Sequence, residues 1–213
     1  MTALFVIAHP DDEVYGCGGT IIKERDAIVL CLCRGDKHGD SDKARVRQTA
    51  FRRNITAFRA MPILTYFDDF SLSDHYQDVI QIITEEVAAY RPTNVYTHSL
   101  SDIHQDHRIV AEATMVACRP TPTSSVRTLR MFETVSSTDW GFGKFNQFKP
   151  DHYVDITIEL DTKIEAASRY IGEEIREHPD CRSIQAIHNL AAYRGQQVGM
   201  PYAEAFETVY SFG

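Results

Sequence analysis

The stretch Ala3-Leu4-Phe5-Val6-Ile7-Ala8-His9-Pro10-Asp11-Asp12-Glu13 decides the fold. Six consecutive apolar residues suit a strand buried on both faces, the kind found in parallel sheets covered by helices. The run then breaks into an imidazole and three carboxylates within five residues, with Pro10 fixing the turn. Gly16-Cys17-Gly18-Gly19 follows and opens a helix through about Arg25. That order places the polar turn at the carboxyl end of the strand, where open α/β sheets bind ligands. A polar run of this kind is ordinarily a solvated loop. Here the glycines after it argue otherwise, because they let backbone approach a metal or ligand closely.

Working outward, strand and helix alternate. Ile28–Cys33 reads as a second strand, with Cys31 and Cys33 on one of its faces. Ser41 is placed to cap an Arg-rich helix through about Arg59, with Val46, Ala50, Ile55 and Phe58 on its inner face. Ile63–Phe67, Val95–Thr97, Thr128–Glu133, Tyr153–Ile158 and Glu204–Phe212 read as further strands. Helices are expected over Tyr76–Ala89, from His107 to about Ala117, over Asp161–Glu174 and over Ser183–Arg194. Ser136–Pro150, with Trp140, Phe142, Phe145 and Phe148, reads as a long loop over the site, either a lid or an interface. With no repeat or linker, residues 1–213 are read as one domain. Its expected fold class is α/β, a Rossmann-like three-layer sandwich with a mainly parallel central sheet.

Composition narrows the function. Of 213 residues, 43% are hydrophobic and 24% charged, an ordinary globular balance. Lys plus Arg number 22 against 30 Asp plus Glu, a net charge of -8 that repels phosphate backbones and argues against nucleic acid as a partner. No segment reaches the ~18 uninterrupted apolar residues of a membrane span. The start lacks the basic leader of a secretory signal. Five cysteines without a CxxC pair suit buried thiols in a reducing cytoplasm.

A second polar cluster, Asp102-Ile103-His104-Gln105-Asp106-His107, follows the fourth strand. His104 and His107 are three apart and face one way on an incipient helical turn, and Asp106 between them is placed to orient one imidazole. A lone histidine would more often be structural; two clusters at two strand ends are the pattern of a metal or catalytic site. His9, Asp12 and His107 together form a two-His, one-carboxylate set. Three protein ligands with an open position describe catalytic zinc, and ferrous iron accepts the same set.

His9-Pro10-Asp11-Asp12-Glu13 with His104-Gln105-Asp106-His107 resembles the AHPDDE and HxDH motifs of the PIG-L/LmbE-like de-N-acetylases. The resemblance covers most of the chain, since Pro92–Ala117 and the tail Ala191–Phe206 also read like that family. It implies that His9, Asp12 and His107 bind Zn2+, with Fe2+ or another divalent ion as the alternative. It further implies that Asp11 is the general base, and that a protonated His104, held by Asp106, stabilises the oxyanion. Acetate and a free amine would be the products.

On the substrate side, Asp36, Arg47 and Asp69 match the family approximately and would hydrogen-bond sugar hydroxyls, with Asp102 as a further contact. Asp102 stands where part of the family has a tyrosine, so no role for that tyrosine carries over. The expected partner is a small N-acetylated, sugar-like molecule, and exposed aromatics around Trp140 are compatible with a homo-oligomer. His188 is within reach of the site from the tail, where packing is the expected role of most residues. The rivals are a hydrolase of a larger N-acyl amide and a non-catalytic sugar- or nucleotide-binding protein. Against the latter, a pure binder needs no base, and Gly16-Cys17-Gly18-Gly19 is not a GxGxxG loop.

Overall fold

A computed structural model describes residues 2–36, 41–142 and 147–212. Its strands are β1 (Thr2–Ile7), β2 (Asp26–Cys33), β3 (Met61–Phe67), β4 (Asn94–His98), β5 (Thr128–Phe132), β6 (His152–Asp155) and β7 (Ala203–Ser211). The helices are α1 (Gly18–Lys23), α2 (Ser41–Ala57), α3 (Tyr76–Tyr90), α4 (Gln105–Ala117), α5 (Leu160–Ser168) and α6 (Ile184–Gln196). The strands form one sheet in the order β3-β2-β1-β4-β5-β7-β6. The first five run parallel, and β7 is antiparallel to both β5 and β6. The expected α/β class with a mainly parallel sheet is therefore what the chain adopts.

The three layers follow from strand alternation. Ala3, Phe5 and Ile7 of β1 point to one face and pack with Ile21 of α1, Phe51 and Ile55 of α2, Ala166 of α5 and Ile187 of α6. Leu4 and Val6 point to the other and pack with Val79 and Ile83 of α3 and Val110 and Ala113 of α4. A strand with a helical layer on each side must be apolar at every position, which is why β1 shows no alternation.

Several local expectations give way to packing. Val46 is 44% exposed, and α2 turns Ala44, Arg47, Ala50, Phe51, Asn54 and Ile55 inward instead. Ser41 is itself the first residue of α2 rather than its cap. Cys31 and Cys33 do not share a face: the β2–β3 register shifts between them, and they pack in opposite cores. The helix expected over Asp161–Glu174 ends at Ser168, and the chain turns through Gly172 at φ 87. All five cysteines are free thiols. Among the described residues, no helix is long and apolar enough to cross a membrane.

Candidate active site at the carboxyl ends of β1 and β4

Strand order reverses between β1 and β4, so the loops leaving these neighbours diverge and open a crevice. Both polar clusters lie there. After β1, the backbone N–H of His9 donates to Asp12 Oδ2 at 2.7 Å and closes a tight turn. Asp11 sits inside it at φ 130, a backbone region that L side chains rarely adopt. Glu13 holds it there. Its Oε2 accepts the Asp11 N–H at 2.9 Å, while Oε1 accepts from Asn54 Nδ2 at 3.0 Å and the Tyr170 hydroxyl at 2.6 Å. The glutamate is fully buried.

The two histidines of the expected metal set are built alike. His9 Nε2 bonds Asp106 Oδ2 at 3.0 Å, and its Nδ1 lies 3.6 Å from Asp12 Oδ2. His107 Nδ1 bonds Asp102 Oδ2 at 2.9 Å, and its Nε2 lies 3.3 Å from Asp12 Oδ1. Each imidazole thus has one nitrogen on a buried carboxylate and the other turned toward Asp12. Carboxylates behind metal-binding histidines fix tautomer and ring orientation in this way. Asp102 is therefore not a pocket-facing residue. It is fully buried and also accepts from His104 N, Ser137 Oγ and Thr138 Oγ1. His107 holds its carboxyl down at about 2 against the opposing effect of burial.

Asp106 also departs from expectation. Its carboxylate serves His9 and the backbone N–H of Phe70, at 2.8 Å, rather than His104. The reason is helical geometry: Asp106 lies in the first turn of α4, and its backbone N–H donates to His104 Nδ1 at 3.2 Å, making His104 the helix cap. With Nδ1 accepting, the single ring proton of a neutral imidazole sits on Nε2. Burial and the neighbouring His9 and His107 lower the His104 pKa to about 3, so this ring is neutral rather than cationic.

His98, at the end of β4, was not among the expected residues. Fully buried, it lies 3.2 Å from Asp12 Oδ2, and its ring stacks on His107 at 3.9 Å between centroids. Its Nε2 accepts the Ala8 N–H at 3.0 Å, so its lone pair is already engaged. Burial and the His107 charge drop its pKa to about 4. A count of polar side chains at the strand end would have found it.

Donor atoms of His9, His104 and His107 lie within 4.8 Å of one another, as do those of Asp12, His98 and His107. Among the described residues, His9, Cys33 and Asp106 form a third such group; the expected set of His9, Asp12 and His107 is not itself one of the three, though Asp12 lies 3.6 Å from His9 Nδ1 and 3.3 Å from His107 Nε2. Asp106 Oδ1 beside them is buried without a partner, as fits a cluster built around a cation.

Asp11 is buried and 3.3 Å from Arg47 Nη2. Burial pushes its pKa up to about 7 against the pull of that guanidinium. Arg47 itself is enclosed by protein groups: Pro10 O, Gly35 O, Asp69 Oδ2 and Glu174 Oε1. Asp69 also accepts the Gly35 N–H. Arg47 and Asp69 thus brace the turn around Asp11. Asp36 pairs with Arg34 at 2.8 Å and keeps Oδ1 buried and unpaired. His188 packs edge-on against Tyr202.

Over His104 lies a pocket of about 740 Å³, walled in part by Phe70, Ile103 and Trp140. Phe70 stacks on the His104 ring at 5.0 Å. Phe142 is 80% exposed, Phe148 lies under the Arg194 guanidinium, and Phe145 falls outside the described residues.

Residues 4–118, more than half of the chain, match the PIG-L family, described as GlcNAc-PI de-N-acetylase. The chain belongs to the PIG-L family. That match takes in both motifs and β1 through α4. A relative from Escherichia coli, described as the uncharacterized deacetylase YaiS, is 29% identical over 129 residues, covering 56% of this chain and 69% of that protein. Two solved structures share the fold. The N,N'-diacetylchitobiose deacetylase of Pyrococcus horikoshii has a TM-score of 0.75 at 19% identity, over 98% of this chain and 84% of its own. The 4-carboxy-2-hydroxymuconate hydratase of Pseudomonas putida has a TM-score of 0.79 at 20% identity, over 100% and 97%. A deacetylase and a hydratase on one fold mean that the reaction of this PIG-L chain must be argued from its site.

Proposed function

We propose that this chain hydrolyses the N-acetyl amide of a sugar-like small molecule, releasing acetate and a free amine. The observation that carries the reading is the pairing of two carboxylate-backed imidazoles on Asp12, beside a strained, buried Asp11. The family description and the deacetylase relatives support an acetamide as the target.

His9 Nδ1, Asp12 and His107 Nε2 would hold one divalent ion, for which zinc best suits two imidazoles and a carboxylate. Such an ion supplies an acidified water and polarises a carbonyl. Asp11 takes the proton of the attacking water as its oxygen adds to the acetyl carbon. A carboxyl titrating near neutrality can both accept that proton and return it to the departing amine. Negative charge developing on the carbonyl oxygen is met by the Nε2–H of His104, held in place by its cap on α4 and by Phe70. Glu13 and Arg47 keep Asp11 in its conformation and touch no substrate.

The test is acetate release from a panel of N-acetylated sugars, nucleotide sugars and thiol glycosides, with metal-free and zinc-reconstituted protein. Zinc-dependent acetate release is expected. Stoichiometric bound metal with no acetate from any compound would overturn the reading.

A further inference from the structure

The pocket over His104 is larger than an acetamido group needs, and its outer wall comes from a segment that neither motif includes. Arg176, Asp180 and Arg182 supply that wall between α5 and α6. The backbone N–H of Arg176 donates to the Arg182 carbonyl at 3.1 Å, so the two residues are fixed side by side at the pocket mouth. Arg182 Nε donates to Ser136 Oγ at 2.9 Å and Nη1 to Glu174 Oε2 at 2.6 Å, with the guanidinium 5.6 Å from the Tyr15 ring centre. Its side chain is 24% exposed, a guanidinium held in place and still open to the pocket. Among the described residues, Arg176 forms no ion pair and is exposed. Asp180 is the acidic residue of this wall: its Oδ1 accepts the Arg182 N–H at 2.8 Å, and its carboxylate lies in the field of both Arg176 and Arg182, so an incoming anion competes with it for them.

The aromatic side of the pocket is equally committed. Phe70 and Trp140 are 51% and 48% exposed there. Phe70 and Ser136 both hold left-handed backbone, at φ 67 and φ 70. Strain of this kind in non-glycine residues persists where surrounding contacts over-determine it, and it gathers at ligand sites. Here Asp106 fixes the Phe70 N–H, and Arg182 fixes the Ser136 hydroxyl.

Resting on the deacetylase reading, we propose that this wall is a subsite for an anionic group, a carboxylate or a phosphate, on the molecule that carries the N-acetyl amine. Arg176 and Arg182 hold the anion, while Phe70 and Trp140 pack against the apolar face of the ring that bears it. A neutral sugar is usually met by side chains that both donate and accept. The exposed Arg176 guanidinium and the Nη2 that Arg182 does not spend on Ser136 or Glu174 instead offer donors only, which suit carboxylate and phosphate oxygens.

Two measurements test this on the zinc-loaded chain. The first compares kcat/KM for acetate release from N-acetylglucosamine, its 6-phosphate and N-acetylmuramic acid. The second measures calorimetric affinity for the amine products, glucosamine and glucosamine 6-phosphate, and needs no turnover. An anionic preference of about tenfold or more is expected, the scale of charge-assisted hydrogen bonds. Phosphate preferred over carboxylate, or the reverse, identifies the group. The preference should collapse in both Arg176→Gln and Arg182→Gln. Equal treatment of neutral and anionic compounds would overturn the subsite while leaving the deacetylase reading intact. So would a preference that survives both variants, since the anion would then be held elsewhere, as at the metal. Tighter binding of the anionic amine without acetate release from any compound would support the subsite and overturn the deacetylase reading.

Discussion

At the residue scale, the site is organised by carboxylates with unequal tasks. Asp12 faces both imidazoles, Asp102 and Asp106 stand behind them, and Asp11 is the base of the proposed reaction. Asp11→Asn should keep the metal and lose about 10²–10⁴-fold in kcat, the range of a lost general base. Metal content by mass spectrometry beside the acetate assay checks it, and wild-type turnover would remove Asp11 from the chemistry. Asp106→Asn separates the two roles considered for that residue. Because its carboxylate bonds His9, metal affinity should fall about 10–100-fold. A variant with unchanged metal affinity and a lower kcat would instead return Asp106 to His104.

At the element scale, the strands bring the two clusters together, and close helix packing holds the frame. The chemistry-bearing turns follow β1 and β4, parallel neighbours paired through Ala3–Asn94, Leu4–Val95 and Phe5–Tyr96. Near the far edge of the sheet, Gly195 lies in the last turn of α6, where an added Cβ would lie 2.5 Å from the Met200 carbonyl oxygen and 2.8 Å from Pro201 C and O. Those are backbone atoms that no rotamer change can clear. Gly195→Ala should therefore cost on the order of 1–3 kcal/mol, seen as a fall in Tm of roughly 2–12 °C for a chain of this size. An unshifted Tm would mean that the α6–β7 turn can open freely. Element order and type were largely legible from apolar runs and glycine or proline punctuation. The end of α5 and the Cys31–Cys33 faces were not, because a register shift and a tertiary turn leave no periodic trace.

At the scale of the whole molecule, the site joins the two halves of the sheet, and its charge state is coupled to stability. In metal-free protein, burial disfavours charge on His107, but Asp12 and Asp102 outweigh it and lift its pKa from 6.5 to about 9. A raised folded-state pKa contributes stability in full below the unfolded value, and that contribution is lost as pH rises through the folded one. The urea midpoint of metal-free protein should therefore fall between pH 6.5 and about 9. Metal should flatten that fall, since it replaces the proton on His107 and is favoured as protons leave. A metal-free midpoint that stays level across the window would show that His107 is not charged there. The sequence by itself determined the α/β class, the two clusters and their places at strand ends, because β1 must be apolar throughout and the polar residues that follow it have nowhere else to lie. Only the tertiary structure decided which carboxylate serves which histidine, that His98 joins the cluster, that Arg47 and Asp69 brace Asp11, and that Arg176 and Arg182 reach the pocket. Those pairings span up to 97 residues of chain, as between His9 and Asp106, and rest on distances of about 3 Å, which spacing along a sequence does not encode.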